Sequence, residues 1–539
     1  MGMFDSVLGL DKFEKLKQKA HKLISEKQFP EAMVIVNEAL SLEPKSSTCL
    51  FFKGICHQEL GDDSAAIESF DSALQINPGA KLDINYYRAK SLVHLGKFSE
   101  ALQEFVSIIE KQPQKKSAYF FRALCKEHIG NLQEALIDVD TFIAAVPNEF
   151  EGFNLRGLIR LRLKQFKEAH DDFTRSIELR PNNYIAYDKR GIAAFNMRRL
   201  DEAINDLKIS VNGNSNYYEG FYNLAMVYSA KGDLIEAKNA ALSAIKAKSD
   251  YSEAYQFLAN IYIKEDRVQD AIEAYDRLIQ IKTDEPVIYI KRGALRKSIG
   301  DSEGGNTDFG MALSLAPKDP IVLQNVAEME AENKNYDSAL KYYGDAISIS
   351  PNDALMINGR GLLNFRKGDF ANAIRDFSKA IDLRNDLTEL YLNRARARVR
   401  LGDNSGAMSD FSILLNKPEY VFAYSERADL RVSMGDLNAA AQDYDKVCKE
   451  MPNDYRPFYK KATVLLKQDK FDPALKEINA AINNNSEFGD AFYVRAAVKN
   501  ALRLNQDAMS DIETALRLGC TEFKSEAAKL FTELRAKYS

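Results

Sequence analysis

"KNYDSALKYYGDAISISP" (residues 334–351) and "GDFANAIRDFSKAIDLRN" (368–385) share one layout. Each begins at a turn-forming doublet and reaches a small residue at Ala339 or Ala373. A large aromatic follows four residues later (Tyr343, Phe377), then a second alanine (Ala346, Ala380), then another turn. "GDDSAAIESFDSALQINP" (61–78) and "GKFSEALQEFVSIIEKQP" (96–113) repeat it. Apolar residues three and four apart form one stripe of an amphipathic helix. The anchoring small residue recurs fifteen times between Ala32 and Ala508, with Gly305 standing in for alanine at the ninth. Twelve of the fourteen intervals are 34 residues, one is 35 and one is 33. A fixed period of this length marks a chain built from stacked supersecondary units.

Twelve residues before each anchor stands another small residue, for example Gly54, Gly157, Gly361 and Ala496. Doublets such as "GD" and "GN" separate the two points, and Pro44, Pro78, Pro113, Pro147, Pro181, Pro317, Pro351 and Pro452 close many of the units. Small residues facing each other let two antiparallel helices approach closely. The spacing therefore predicts a helical hairpin that must stack on its neighbours to bury its second apolar face. With the anchor taken as position 20, the earlier small residue falls at position 8.

This layout resembles the tetratricopeptide repeat family over about residues 13–522, in fifteen repeats. The family pattern has Gly or Ala at 8, Ala at 20, an aromatic at 24, Ala at 27 and Pro at 32. Repeat 10 supplies Ala327, Ala339, Tyr343, Ala346 and Pro351 for these five. The resemblance implies an all-α, right-handed α-solenoid whose first helices line a concave groove. It divides the chain into a leader (1–12), repeats 1–8 with the start of repeat 9 (13–299), the rest of repeat 9 through repeat 15 (300–522), and a capping helix (523–539).

Composition narrows the function. The chain has 539 residues, 45% hydrophobic and 28% charged, with a formal charge of −5, so nothing drives it globally toward nucleic acid or an anionic membrane. Five cysteines with no CxxC spacing suit a reducing, cytoplasmic compartment. No run of eighteen apolar residues occurs. "MGMFDSVLGL" fits the loose N-myristoylation pattern, with Gly2 as acceptor and Ser6 in place, followed by lysines at 12, 15, 17, 19 and 22. Acylation at Gly2 would make the protein membrane-associated; an ordinary solvated helix is the plainer alternative.

No P-loop, GxSxG, HExxH or CxxC motif is present, and the repeats leave no room for an appended catalytic domain. Neither enzyme activity nor a cofactor or metal is expected. Position 7 is basic in twelve repeats. In ten of them position 23 is acidic: Arg88/Glu104, Arg122/Asp138, Arg156/Asp172, Arg190/Asp206, Arg292/Asp308, Arg360/Asp376, Arg394/Asp410, Arg427/Asp443, Lys461/Glu477 and Arg495/Asp511. Where position 7 is Leu224 or Leu258, position 23 is Ala240 or Ala274. A phosphate-binding stripe needs no matching acids, so the correlation predicts structural ion pairs across each hairpin and no nucleic-acid partner.

The expected partner is a protein or peptide in the groove. The carboxylate clamp by which some relatives hold chaperone C-termini is incomplete: Lys17 is present, but His21, Phe52, Asp83 and Tyr87 stand at the remaining places. Asn223, Asn325 and Asn393 keep the family's position-6 asparagine, which can bond a peptide backbone. "TCLFFKGIC" (48–56), "DINYYRAKS" (83–91) and "SAYFFRALC" (117–125) carry aromatic pairs in three successive repeats. Phe51, Tyr86 and Phe120 fall at position 5, expected to pack between first helices. Phe52, Tyr87 and Phe121 fall at position 6 and are expected to face a partner. The alternatives are a membrane-tethered adaptor or an import or co-chaperone-type receptor, and a regulatory or structural subunit of a larger complex.

Three irregularities stand out. "VNGNSNYYEG" (211–220) reads as the most loop-like junction. "GDSEGGNTDFG" (300–310) predicts either a weak helix or a hinge at repeat 9. The 33-residue step at "NKPEYVFAY" (416–424) reads as a shortened turn.

Overall fold

The computed structural model describes residues 2–538, with side chains described except at 2–11, 80–82, 418 and 537–538. Among the described residues there are α-helices in antiparallel pairs, two short 3-10 segments (Pro78–Ala80 and Pro418–Tyr420) and no strand. The protein is an all-α helical-repeat protein. Its chain forms two compact units, Met1–Lys282 and Thr283–Ser539, each a stack of hairpins. The boundary falls between repeats 8 and 9.

The repeated small and aromatic positions have a direct steric cause. A Cβ placed on Gly54 would stand 2.3 Å from the Phe70 ring, on Gly157 2.8 Å from Phe173, and on Gly361 2.7 Å from Phe377. The position-24 aromatic thus lies under the position-8 glycine of its own hairpin, where a larger residue would push the helices apart. Among the described residues, the seven largest fully buried side chains are Tyr275, Tyr444, Phe70, Phe105, Phe173, Phe377 and Phe411, and all seven occupy position 24. Burying each contributes on the order of 2–3 kcal/mol relative to exposure.

The turn inside every hairpin needs one left-handed residue, at position 15. Eight repeats place glycine there, such as Gly61 (φ 85°) and Gly368 (φ 86°). Seven place Lys27, Lys164, Arg198, Asp266, Lys334, Asp469 or Arg503 there, at φ 57–64°. Glycine adopts this conformation without the Cβ clash that strains the others.

The irregular stretches resolve as follows. The segment at 211–220 is mostly helical: one helix ends at Gly213 and the next begins at Tyr218, so only four residues connect them. In repeat 9, the second helix runs unbroken from Ser302 to Leu315. A Cβ on Gly305 would meet the Gly293 carbonyl at 2.9 Å and Lys297 Cγ at 2.4 Å, so this hairpin is packed too tightly for alanine. The 33-residue step is a shortened helix rather than a shortened turn. The second helix of repeat 12, Asn404–Leu414, has 11 residues instead of the usual 14, and the Pro418–Tyr420 segment follows it.

Candidate functional site

All ten anticipated ion pairs form between residues sixteen apart. Arg394 is typical: Nε and Nη2 donate to the two Asp410 oxygens at 3.0 and 2.7 Å, and Asp410 is 1% exposed. Two further contacts were not legible from the position-7/23 correlation alone. The basic residue also reaches back to position 25 of the preceding repeat, as in Arg88–Asp71 (2.7 Å), Arg156–Asp140 (2.7 Å) and Lys461–Asp445 (2.9 Å). Position 11 adds a second donor to the same acid, as in Arg160–Asp172 (2.6 Å), Arg398–Asp410 (2.8 Å) and Arg431–Asp443 (2.7 Å). These cations bind the hairpins together and are committed to carboxylates.

The aromatic pairs of repeats 2–4 form a continuous seam. Ring centroids lie 5.2–6.2 Å apart along His21, Phe52, Phe51, Tyr87, Tyr86, Phe121, Phe120 and Phe142. Phe51 lies against Tyr87 and Tyr86 against Phe121 of the following first helix, whereas Phe120 packs on Phe142 in the second helix of its own repeat. Phe52 is 8% exposed and packed beside His21 of repeat 1, so it belongs to the core rather than to an open wall. Tyr87 and Phe121 are half-buried. Phe121 stacks on Phe105 at 5.6 Å, and Lys90 Nζ lies 5.6 Å from the Tyr87 ring and 5.9 Å from Phe121.

The position-6 asparagines are engaged within the fold. Asn223 donates at 2.9 Å to Asp188, a wholly buried carboxylate that also accepts from the Tyr217 hydroxyl. Asn393 donates to Asn358 Oδ1 at 3.1 Å, and Asn325 to the Ile321 carbonyl at 2.8 Å. Gly2 lies outside the residues whose side chains and surroundings are described.

Further concavities lie elsewhere, along the first helices of the second unit. A cavity of about 340 Å³ opens between Pro320–Glu332 and Ala354–Lys367, walled by Glu328, Leu355, Leu362 and Arg366. One of about 380 Å³ joins Phe365, Val399, Arg400 and Leu430. A third, about 500 Å³, lies between Phe422–Ser433 and Tyr455–Lys467, with Phe422, Met451, Tyr459 and Phe488 as apolar walls and Glu426, Asp429 and Lys460 as polar ones. The last two flank the repeat that follows the short helix Asn404–Leu414. Arg366 and Arg400 have no carboxylate partner among the described residues; Arg400 rests 5.2 Å from the Phe370 ring. Arg396 is paired with Glu426.

The cysteines and histidines are held in separate environments among the described residues. All five cysteines are free and buried, and burial pushes the thiols up, to about 11 at Cys56 and about 12 at Cys125, Cys448 and Cys520. A thiol so raised is a poor nucleophile at neutral pH. His94 bonds Asp63 at 3.1 Å while His128 stacks on Phe98 at 3.9 Å, so the two do not converge. Among the described residues no group of three or more His, Cys, Asp or Glu is placed to hold a metal. No helix there is long and apolar enough to cross a membrane.

After repeat 15, the helix Lys524–Tyr538 packs on the last hairpin through Ala527, Leu530 and Leu534. Asp490 fixes its start. That carboxylate, 2% exposed, accepts from Cys520 Sγ (2.8 Å), Thr521 Oγ1 (2.8 Å) and the Thr521 and Glu522 backbone N–H groups (3.0 and 2.9 Å). Burial alone would raise its carboxyl, but these bonds outweigh it and hold Asp490 below the usual carboxylate range. Tyr459 adds a 2.6 Å bond to Glu522.

The repeat geometry agrees with family comparison. Residues 86–149, 222–286 and 330–388 match the tetratricopeptide repeat pattern, and 47–79 match a second form of it. Within those segments the chain carries tetratricopeptide repeats. A tetratricopeptide repeat and J domain-containing co-chaperone of Cryptococcus neoformans var. grubii is 27% identical over 100 residues, a stretch that is 19% of each chain. Among solved structures, the Cut9–Hcn1 hetero-tetramer of APC/C includes a chain that is 13% identical over 92% of this chain and 98% of that one (TM-score 0.34). YrrB, a repeat protein with an unusual peptide-binding site, is 23% identical over 35% of this chain and 96% of that one (TM-score 0.30).

Proposed function

We propose that this protein is a non-catalytic scaffold that holds segments of partner proteins against the faces of its first helices. The observation that carries this reading is the series of cavities of about 340, 380 and 500 Å³ along the first helices of repeats 10–14. Positions 6 and 9 line all three, and positions 5 and 13 two of them, so successive repeats offer a partner successive sockets. Stacked helices give such sockets a rigid frame, which lowers the ordering cost of binding. Half-buried Tyr87 and Phe121 supply a second, aromatic contact area in repeats 3 and 4. The paired position-7 cations leave the groove without a phosphate-binding stripe.

Capture of partners from native extract tests this, run with the parent protein and with Phe422→Ala, Tyr87→Ala and Phe121→Ala, each checked for unchanged helicity. Phe422 is 39% exposed, so its truncation leaves the core intact. Loss of the same partners with Phe422→Ala places them in the cavities of repeats 13 and 14, and loss with the other two places them on the aromatic seam. Partners retained by all three variants would refute the first-helix reading.

A further inference from the structure

Position 2 stands at the start of each first helix, and it is polar or charged in ten of the fifteen repeats. Repeats 9, 10 and 11 break that rule consecutively, with Val287, Ile321 and Leu355 at 50%, 56% and 60% exposure. No other run of successive repeats does so; Ile185 and Phe422 are isolated cases. Between them, at the ends of the intervening second helices, Leu315 and Ile349 are also exposed, at 38% and 47%. The first helices of repeats 9 and 10 touch, and those of repeats 10 and 11 share the walls of the 340 Å³ cavity that Leu355 borders. Three large apolar side chains therefore line one rim of the second unit.

A carboxylate stands two residues before each of them: "EPV" at 285–287, "DPI" at 319–321 and "DAL" at 353–355. Asp319 Oδ1 accepts from the Ile321 and Val322 N–H groups (2.8 and 3.0 Å), and Asp353 Oδ1 from Leu355 and Met356 (2.9 and 3.1 Å). Asp319 and Asp353 each spend one oxygen on their own helix and keep Oδ2 for an incoming cation, whereas Glu285 makes no side-chain cap bond. The basic residues beside this rim in the sequence or its adjoining turn are Lys282, Lys318 and Arg384, against Asp284, Glu285, Asp319, Asp353 and Asp386, and Arg384 is bound to Asp386. The rim is thus apolar and net acidic.

We propose that this rim docks an extended partner segment carrying an apolar side chain at every third residue with Lys or Arg between them. Packed helices lie about 8–10 Å apart. A polyproline II strand advances about 9 Å in three residues and returns its side chains to the same face. One apolar residue then meets each repeat, while the intervening cations reach the capping carboxylates. The rim shares Leu355 with the 340 Å³ cavity but no residue with the 380 and 500 Å³ cavities or the aromatic seam, so Phe422→Ala and Tyr87→Ala distinguish its fate from theirs.

A nonapeptide of three Ile-Pro-Lys units, titrated into the full-length protein, tests the proposal against a peptide of three Ile-Pro-Glu units and a scrambled lysine peptide. Saturable binding of the first is expected, at least about tenfold tighter than either control. Ile321→Ser with Leu355→Ser weakens it about tenfold or more. Asp319→Asn with Asp353→Asn keeps the helix caps but removes two of the rim's carboxylates, and it markedly weakens the salt dependence. Tyr87→Ala and Phe422→Ala leave this peptide bound. Equal affinity for the three peptides, binding untouched by the rim substitutions, or no saturable binding at millimolar peptide would each overturn the proposal.

Discussion

Asp410 offers the sharpest test of the claim that the position-7 cations are structural. It receives two bonds from Arg394 and one from Arg398, and is 1% exposed. Asp410→Ala leaves two guanidinium groups in a largely closed site, their side chains 14% and 19% exposed. Removing one partner of a buried pair costs about 3–5 kcal/mol; the partial exposure of both arginines places the expected loss near 3 kcal/mol. The chain itself contains the apolar alternative. Repeats 7 and 8 carry Leu224, Tyr228 and Ala240, and Leu258, Tyr262 and Ala274, at positions 7, 11 and 23. Arg394→Leu, Arg398→Tyr and Asp410→Ala together transplant that set, and should recover all but about 1 kcal/mol of the loss. A repeat array need not unfold in one step, so the readout should be local. Hydrogen exchange in helices Thr388–Leu401 and Asn404–Leu414 should accelerate by roughly a hundredfold in the single variant and far less in the triple. A single variant within about 0.5 kcal/mol of the parent, or a triple as damaged as the single, would refute the reasoning.

Other expectations follow from the same geometry. Asp490→Asn should free the start of helix Lys524–Tyr538 at a cost of about 2 kcal/mol, read as a roughly thirtyfold faster alkylation of buried Cys520 at neutral pH. Because the Asp490 carboxyl is depressed in the folded chain, its contribution is complete above its unfolded value of about 4 and disappears as pH falls through the lower folded value. Pepsin digestion between pH 5 and 2 should therefore cut this helix first. Lys164→Gly and Lys334→Gly relieve a left-handed backbone at φ 59° and 64° and should each stabilise by about 0.5–1 kcal/mol, net of glycine's entropy. A rise in urea midpoint checks this; a fall counts against the strain assigned to position 15. Gly54→Leu forces the Phe70 ring away and should cost at least about 3 kcal/mol, seen as lost protection in Ser47–Glu59 and Asp63–Ile76.

Much of this was legible because a repeat protein is its own alignment. Fifteen copies of one hairpin expose which positions must be small, which aromatic and which oppositely charged, and the Arg394–Asp410 type of pair appears as a correlation within one chain. The contacts that escaped join neighbouring repeats. Arg156 reaches Asp140 across a repeat boundary, and Phe52 is buried because His21 of the preceding repeat lies beside it. Neither fact belongs to a single hairpin. One helix stops early before repeat 13: the chain-length deficit at 416–424 was visible, but its origin in the early end at Leu414 required the structure. Asn223 kept a familiar position yet serves Asp188, a partner its own repeat does not contain.

The central claim is that partners lie on the first helices. Hydrogen exchange of the full chain, with and without a captured partner at saturation, measures this most directly. The account predicts new protection in first helices of repeats 10–14, such as Ala354–Lys367, Phe422–Ser433 and Tyr455–Lys467, with little change in second helices such as Phe370–Leu383 and Leu437–Glu450. Protection confined to the second helices would contradict it.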